Sequence, residues 1–196
     1  MTTVLCVDDN ATLAELLYDV ILSMDFDPHT VPGGEECLAS LRREDVKPDI
    51  ILLDIMMEPM DGWVTLRNIK SDPYLCTIPV VMLTGKYPTM TEVDEFCSLI
   101  EGYLMKPFAI EWLSREIRSV LDRVKLREEF INRARSKGAD EDLLHEYRGL
   151  SSCTCTLKQI KGIIGNGAFR KDSLLVAEER LDALEKRLGD LGTAQS

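Results

Sequence analysis

Ile50-Ile51-Leu52-Leu53-Asp54 is a four-residue apolar run closed by a carboxylate, and its reading decides the fold. So short and uniform a run is the pattern of a parallel-sheet strand covered on both faces. The same pattern opens the chain, where Val4-Leu5-Cys6-Val7 ends in Asp8 and Asp9. In open α/β sheets the ligand site lies beyond the carboxyl ends of the strands. Neighbouring strands would therefore bring three carboxylates to one edge, where they repel and call for a hard divalent cation. Ile78-Pro79-Val80-Val81-Met82-Leu83 adds Thr84 to that edge, and Tyr103-Leu104-Met105 adds Lys106-Pro107. A nucleophilic carboxylate, a metal seat, a hydroxyl and an ammonium are the parts of a phosphoryl-accepting site.

Outward from these runs, strand and helix alternate. Strand 3–7 leads to Asn10, a good N-cap, and helix 11–24 carries Leu13, Leu16, Leu17, Val20, Ile21 and Met24 on one face. A strand over 27–31, Pro32-Gly33-Gly34 and a helix to about residue 44 follow. Lys47-Pro48-Asp49 turns into the strand that ends at Asp54. Helix 61–71, strand 78–84, a helix over 89–99, strand 101–105 and a helix from Ala109 complete the pattern. Five βα units over residues 1–122 predict a doubly wound α/β domain with a five-stranded parallel sheet, since a barrel needs about 250 residues.

The last of these helices does not stop at the domain. From Ile110 to Arg135 there is neither Gly nor Pro, and Lys137-Gly138 supplies a C-cap. Asp140 N-caps a second helix with Leu143, Leu144, Tyr147, Leu150, Leu157 and Ile160 on its apolar side. Gly162, Gly165 and Gly167 are expected to interrupt it. A third helix, 172–190, carries Leu174, Ala177, Leu181, Leu184, Leu188 and Leu191 at heptad spacing. Residues 123–196 thus read as an all-α extension of about three helices. The leucine seam packs either inside a bundle or against a second chain, as in a homodimer.

Charge divides unevenly between these parts. Residues 1–122 hold 9 Lys+Arg against 22 Asp+Glu, and residues 123–196 hold 14 against 12. An acidic front half argues against nucleic acid as its partner, and the interleaved charges behind it read as a solvated helical surface. No apolar stretch reaches the ~20 residues of a membrane span, and Met1-Thr2-Thr3 lacks the basic start of a signal peptide. A cytoplasmic protein is expected, with its six cysteines mostly free thiols. Cys153 and Cys155, two apart, do not share a helix face and are not expected to bind metal.

At Val7-Asp8-Asp9, Leu53-Asp54, Asp61-Gly62, Leu83-Thr84 and Tyr103-Leu104-Met105-Lys106-Pro107-Phe108 the chain resembles response-regulator receiver domains. The resemblance covers residues 1 to about 122. It implies strand order 2-1-3-4-5 and transfer of a phosphoryl group from a histidine kinase or phosphotransfer protein. Asp54 matches the acceptor, forming an aspartyl phosphate. Asp8 and Asp9 match the pair that holds Mg²⁺, with Asp9 the better direct ligand and the Met56 carbonyl completing the seat. Lys106 matches the lysine that pairs with phosphoryl oxygens, and its peptide to Pro107 is expected to be cis. Thr84 matches the switch hydroxyl that the phosphoryl draws inward, and Tyr103 the aromatic that follows it. The resemblance implies a phosphoacceptor, not an enzyme acting on an outside substrate.

The chain also departs from the family pattern. Glu58 stands where a proline is usual, with Pro59 after it. Leu99-Ile100 replaces the usual Gly-Ala, so the fourth helix lacks its expected C-cap. Met56 and Lys86 fall where the family tunes dephosphorylation, and apolar Met56 is expected to prolong the phosphorylated state. His29 reads as a surface residue. His145-Glu146-Tyr147-Arg148-Gly149-Leu150 faintly resembles the phosphoacceptor box of histidine kinases, which would make the chain a phosphorelay intermediate. A solvated helical histidine is the preferred reading there.

Overall fold

Each apolar run becomes a strand of one sheet. In chain order the computed structural model has β1 (Thr3–Val7), α1 (Ala11–Ser23), β2 (Asp27–Val31), α2 (Gly34–Arg42), β3 (Ile50–Leu53), α3 (Gly62–Ser71), β4 (Val80–Thr84), α4 (Met90–Phe96), β5 (Gly102–Met105), α5 (Ile110–Ser136), α6 (Glu141–Ile164) and α7 (Lys171–Gly189). The structure describes residues 1–43, 47–165 and 171–191. The five strands are parallel in the order β2-β1-β3-β4-β5, as the resemblance implied. The helix end expected near residue 44 and the expected break at Gly167 lie outside the described residues.

Burial explains the sheet. Every residue of β3 and β4 is buried, and in β1 only Thr3 is not. Each large apolar side chain taken from water contributes about 1.5–3 kcal/mol, so the uniformly apolar strands occupy the centre. β2, with Asp27, His29 and Thr30, lies at an edge.

The chain falls into two compact units: Met1–Tyr87 with Gly102–Leu121, and Pro88–Glu101 with Asp122–Ser196. In the first unit, Asn10 caps α1 by accepting from the Leu13 N–H, and Asp61 caps α3 by accepting from Val64. The opening part of α5 buries Leu113, Ile117 and Val120. Its Arg118 bonds the Met24 carbonyl and lies 4.9 Å over the Phe26 ring.

The second unit does not follow the sequential division at residue 122, because it includes segment 88–101. Polar bonds tie that segment to the later helices. Arg127 donates to both Glu101 oxygens at 3.0 and 2.8 Å, Ser152 to Glu101 at 2.9 Å, and Thr156 to the Ile100 carbonyl at 3.0 Å. A disulfide joins Cys97 to Cys153, which corrects the expectation for these two cysteines; Cys6, Cys37, Cys76 and Cys155 are free. α4 still starts on a full capping box between Thr89 and Glu92. Gly138, at φ +86°, ends α5 as expected, and Asp140 caps α6. α6 runs through Gly162 and stops only at Gly165, at φ +74°.

The leucine seam packs within the second unit. Leu184 and Leu188 of α7 are buried with Ile131 and Ala134 of α5 and Leu144 and Tyr147 of α6, with Leu181 and Leu191 packed at the margin. The Phe130 and Tyr147 rings lie 4.8 Å apart.

Candidate functional site

Register brings the predicted groups together. Val7 pairs with Leu53 across β1 and β3, so Asp8 and Asp54 leave their strands at one level. Thr84 pairs with Met105 across β4 and β5, which places Lys106 one residue beyond. The Lys106 Nζ donates to Asp8 Oδ2 at 2.6 Å and to Asp54 Oδ2 at 2.8 Å. One ammonium therefore bridges two carboxylates whose side chains are only 2% and 10% exposed.

The remaining carboxylate oxygens are held by the backbone. Asp8 Oδ1 accepts from the Asn10 N–H at 2.9 Å, and Asp54 Oδ1 from the Met56 N–H at 3.2 Å. These bonds fix both carboxylates before any ligand arrives, which reduces the reorganisation a reaction requires. Gly62 is required by the same loop, since a Cβ there would stand 2.1 Å from the Asp54 carbonyl oxygen. Behind the edge, burial pushes the Cys6 thiol up to about 12, with the Asp8 carboxylate adding and Lys106 opposing.

Other predicted residues have different engagements. Thr84 is fully buried, and its hydroxyl oxygen accepts from the Lys86 N–H at 3.2 Å. Tyr103 is buried and donates its hydroxyl to the Lys86 carbonyl at 2.6 Å. Both switch candidates thus hold opposite ends of one residue. Asp9 is exposed, and the Met56 side chain is 62% exposed. The Lys106–Pro107 peptide is cis as expected; a second cis peptide, Glu58–Pro59, was not anticipated, although Pro59 in the altered loop was its visible sign. His145 is exposed on α6, and half-buried His29 lies 3.4 Å from Asp27.

The donor set fits a hard cation. Asp8, Asp9 and Asp54 carry three negative charges and Lys106 one positive, leaving two that a divalent ion would balance. All the donors are oxygens. Among the described residues no group of three or more His, Cys, Asp or Glu side chains is placed to hold a metal ion. The three carboxylates expected at one edge are therefore not gathered into one cluster: Asp8 and Asp54 meet at Lys106, and Asp9 lies exposed.

The response regulator receiver domain family matches residues 4–118. The DNA-binding response regulator MtrA of Mycobacterium tuberculosis is 36% identical over 120 residues, 61% of this chain and 50% of MtrA. The heme response regulator HssR of Staphylococcus aureus is 33% identical over 126 residues, 64% of this chain and 54% of HssR. The chain spans about half the length of these curated relatives. Among solved structures, the N-terminal domain of a response regulator receiver protein from Methanoculleus marisnigri JR1 is 44% identical with a TM-score of 0.51, covering 62% of this chain and 97% of that one. No described helix is long and apolar enough to cross a membrane.

Proposed function

The chain belongs to the response regulator receiver domain family through residues 4–118, and on that footing we propose that it is a phosphorylation-dependent signalling switch with Asp54 as phosphoacceptor. The observation that carries this reading is the Lys106 ammonium bridging Asp8 and Asp54. The phosphoryl donor is a phosphohistidine on a kinase or phosphotransfer protein. An Asp54 carboxylate oxygen attacks phosphorus, the P–O bond forms as the P–N bond breaks, and the imidazole, protonated on its other nitrogen before transfer, leaves as the neutral ring with that proton. Such a transfer asks the protein chiefly for positioning and charge neutralisation. Asp8, Asp9 and Asp54, with the Met56 carbonyl, would hold Mg²⁺, which when bound would neutralise charge on the phosphoryl oxygens.

The chain's own groups do the rest. The Asn10 and Met56 amides hold the two carboxylates in place. Lys106 is already at the acceptor and follows the charge as it moves onto the phosphoryl oxygens. The Thr84 hydroxyl then leaves the Lys86 amide for a phosphoryl oxygen, and Tyr103, bonded to the same Lys86, responds. Residues 123–196 form the output, and the chain acts on no outside substrate.

The name of MtrA weakens the expectation that nucleic acid is an unlikely partner, yet residues 123–196 lie beyond the matched family domain. Salt-dependent retention of the full chain on DNA would establish that output. The phosphoacceptor reading is tested by labelling with acetyl phosphate and Mg²⁺. Wild type takes label and Asp54→Ala does not; label that survives in Asp54→Ala and disappears in His145→Ala would replace this reading with a relay through His145.

A further inference from the structure

Segment 88–101 occupies a particular place in the chain. It follows Lys86, which Thr84 and Tyr103 both engage, and it ends one residue before β5 and two before Tyr103 itself. Within its own unit it is tied to the later helices by hydrogen bonds and by one covalent bond. Glu101 takes both arms of Arg127, Ile100 accepts from Thr156, and Cys97 is bonded to Cys153 of α6. The hydrogen bonds are indifferent to redox conditions. The disulfide opens and closes with them.

In the closed state the Cys97 and Cys153 Cα atoms are 4.4 Å apart, within the range that disulfides span. Opening need not unfold the unit either. Val93, Phe96 and Ile100 are buried at 2%, 3% and 1% exposure, and the Glu101–Arg127–Ser152 network uses no sulfur atom. A covalent tie added to a segment already held by packing and hydrogen bonds alters its freedom rather than its fold.

We propose that Cys97 and Cys153 form a reversible thiol–disulfide site whose oxidised state restrains segment 88–101 and so opposes the Thr84–Tyr103 rearrangement. The coupling in this proposal rests on the phosphoacceptor reading of Asp54; the thiol chemistry does not. The oxidant is a low-molecular-weight disulfide such as oxidised glutathione. One cysteine thiolate attacks it and expels a glutathione thiolate, and the second cysteine thiolate then displaces the other. The two protein thiols lose two electrons and two protons, and two molecules of reduced glutathione are released. Excess reduced glutathione runs the exchange backward.

The sign follows from the hydrogen bonds. The disulfide is closed in the arrangement where the Thr84 hydroxyl accepts from Lys86 and Tyr103 donates to the same residue. In this proposal, drawing Thr84 toward a phosphoryl group ends its hydrogen bond with the Lys86 amide and shifts the chain where it enters segment 88–101. The oxidised state therefore binds a phosphoryl mimic less well. By reciprocity, the mimic makes the pair harder to oxidise by the same factor.

The test equilibrates the full chain across glutathione redox buffers, quenches with acid, blocks thiols and reads the oxidised fraction by intact mass and peptide mapping. The expected result is one reversible two-electron transition mapped to Cys97–Cys153 and missing in Cys97→Ser. With beryllofluoride and Mg²⁺ present, its midpoint moves to a more oxidising ratio by about tenfold, inside the usual range of coupling between sites. Asp54→Asn keeps the transition and loses the movement. A pair that stays reduced, or stays oxidised, at every ratio overturns the proposal. So does a midpoint unmoved by beryllofluoride whose binding is shown by tryptophan fluorescence of a Trp112→Phe chain. If beryllofluoride binds in neither redox state, the phosphoacceptor reading and the coupling fall together, while the two-electron transition independently decides the thiol site.

Discussion

Removing the Lys106 charge should destabilise the first unit in a way that Mg²⁺ reverses. Lys106→Met keeps the aliphatic stem but leaves Asp8 and Asp54, 2% and 10% exposed, without their shared cation. Breaking a buried ion pair by deleting one partner costs about 3–5 kcal/mol. Lys106 itself is 18% exposed, so entering water softens the loss to about 2–3 kcal/mol. For a unit of about a hundred residues that is a fall in Tm of roughly 8–24 °C. Both tryptophans, Trp63 and Trp112, belong to the first unit, so their fluorescence during urea or thermal unfolding in EDTA reports the relevant transition. Mg²⁺ at a hundred times its Kd should return about 2.7 kcal/mol. Adding Asp54→Asn to Lys106→Met removes one of the two repelling carboxylates and should recover much of the loss without metal. A Lys106→Met chain as stable as wild type in EDTA would refute the charge argument, as would a loss that neither Mg²⁺ nor Asp54→Asn reduces.

Three further outcomes follow from the same structure. Arg127→Met strands the buried Glu101 and should cost the second unit about 3–5 kcal/mol, read as faster amide exchange in α5 and α6, with Glu101→Leu in the same chain restoring part of it. Burial pushes the Glu128 carboxyl up, but the hydrogen bond and charge of Arg148, joined by Arg127, outweigh it and hold the group below its ordinary value. A carboxyl lowered by folding adds stability above its unfolded pKa and loses it as pH falls through the lower folded value. Glu128→Gln should therefore flatten the acid limb of the second unit's stability curve, and an unchanged limb would contradict the assignment. Met56→Asn should shorten the lifetime of the acyl phosphate in an autodephosphorylation assay, because a polar side chain there admits and orients the hydrolytic water; an unchanged rate would clear Met56 of that role.

The readable parts of this chain were those in which local pattern and tertiary demand coincide. A strand buried on both faces must be apolar throughout, so Val4–Val7 and Ile50–Leu53 announced themselves, and the carboxylates at their ends had only one edge to occupy. Lys106 was legible because it closes a strand whose register with β4 is equally strong. The helical extension was harder. Between Leu150 and Leu157 the apolar stripe of α6 lapses, yet Ser152, Cys153, Thr154 and Thr156 are buried. Ser152 and Thr156 are satisfied by Glu101 and Ile100, some fifty residues earlier, and no local periodicity encodes such partners. The Cys97–Cys153 bond was missed for the same reason, since its sequence separation of 56 has no spacing signature. Gly162 reads as a break in the sequence, but a glycine lowers helix stability by only about 1 kcal/mol, and α6 carries it as far as Gly165.

The central claim is that Asp54 carries the phosphoryl group. It is tested most directly by phosphorylating the full chain with acetyl phosphate and Mg²⁺, reducing the acyl phosphate with borohydride and mapping the product by mass spectrometry. The account predicts homoserine at position 54 alone, and none when Asp54→Asn is treated in the same way. Reduction at Asp8 or Asp9, or an unreduced phosphoryl group found on His145, would contradict it.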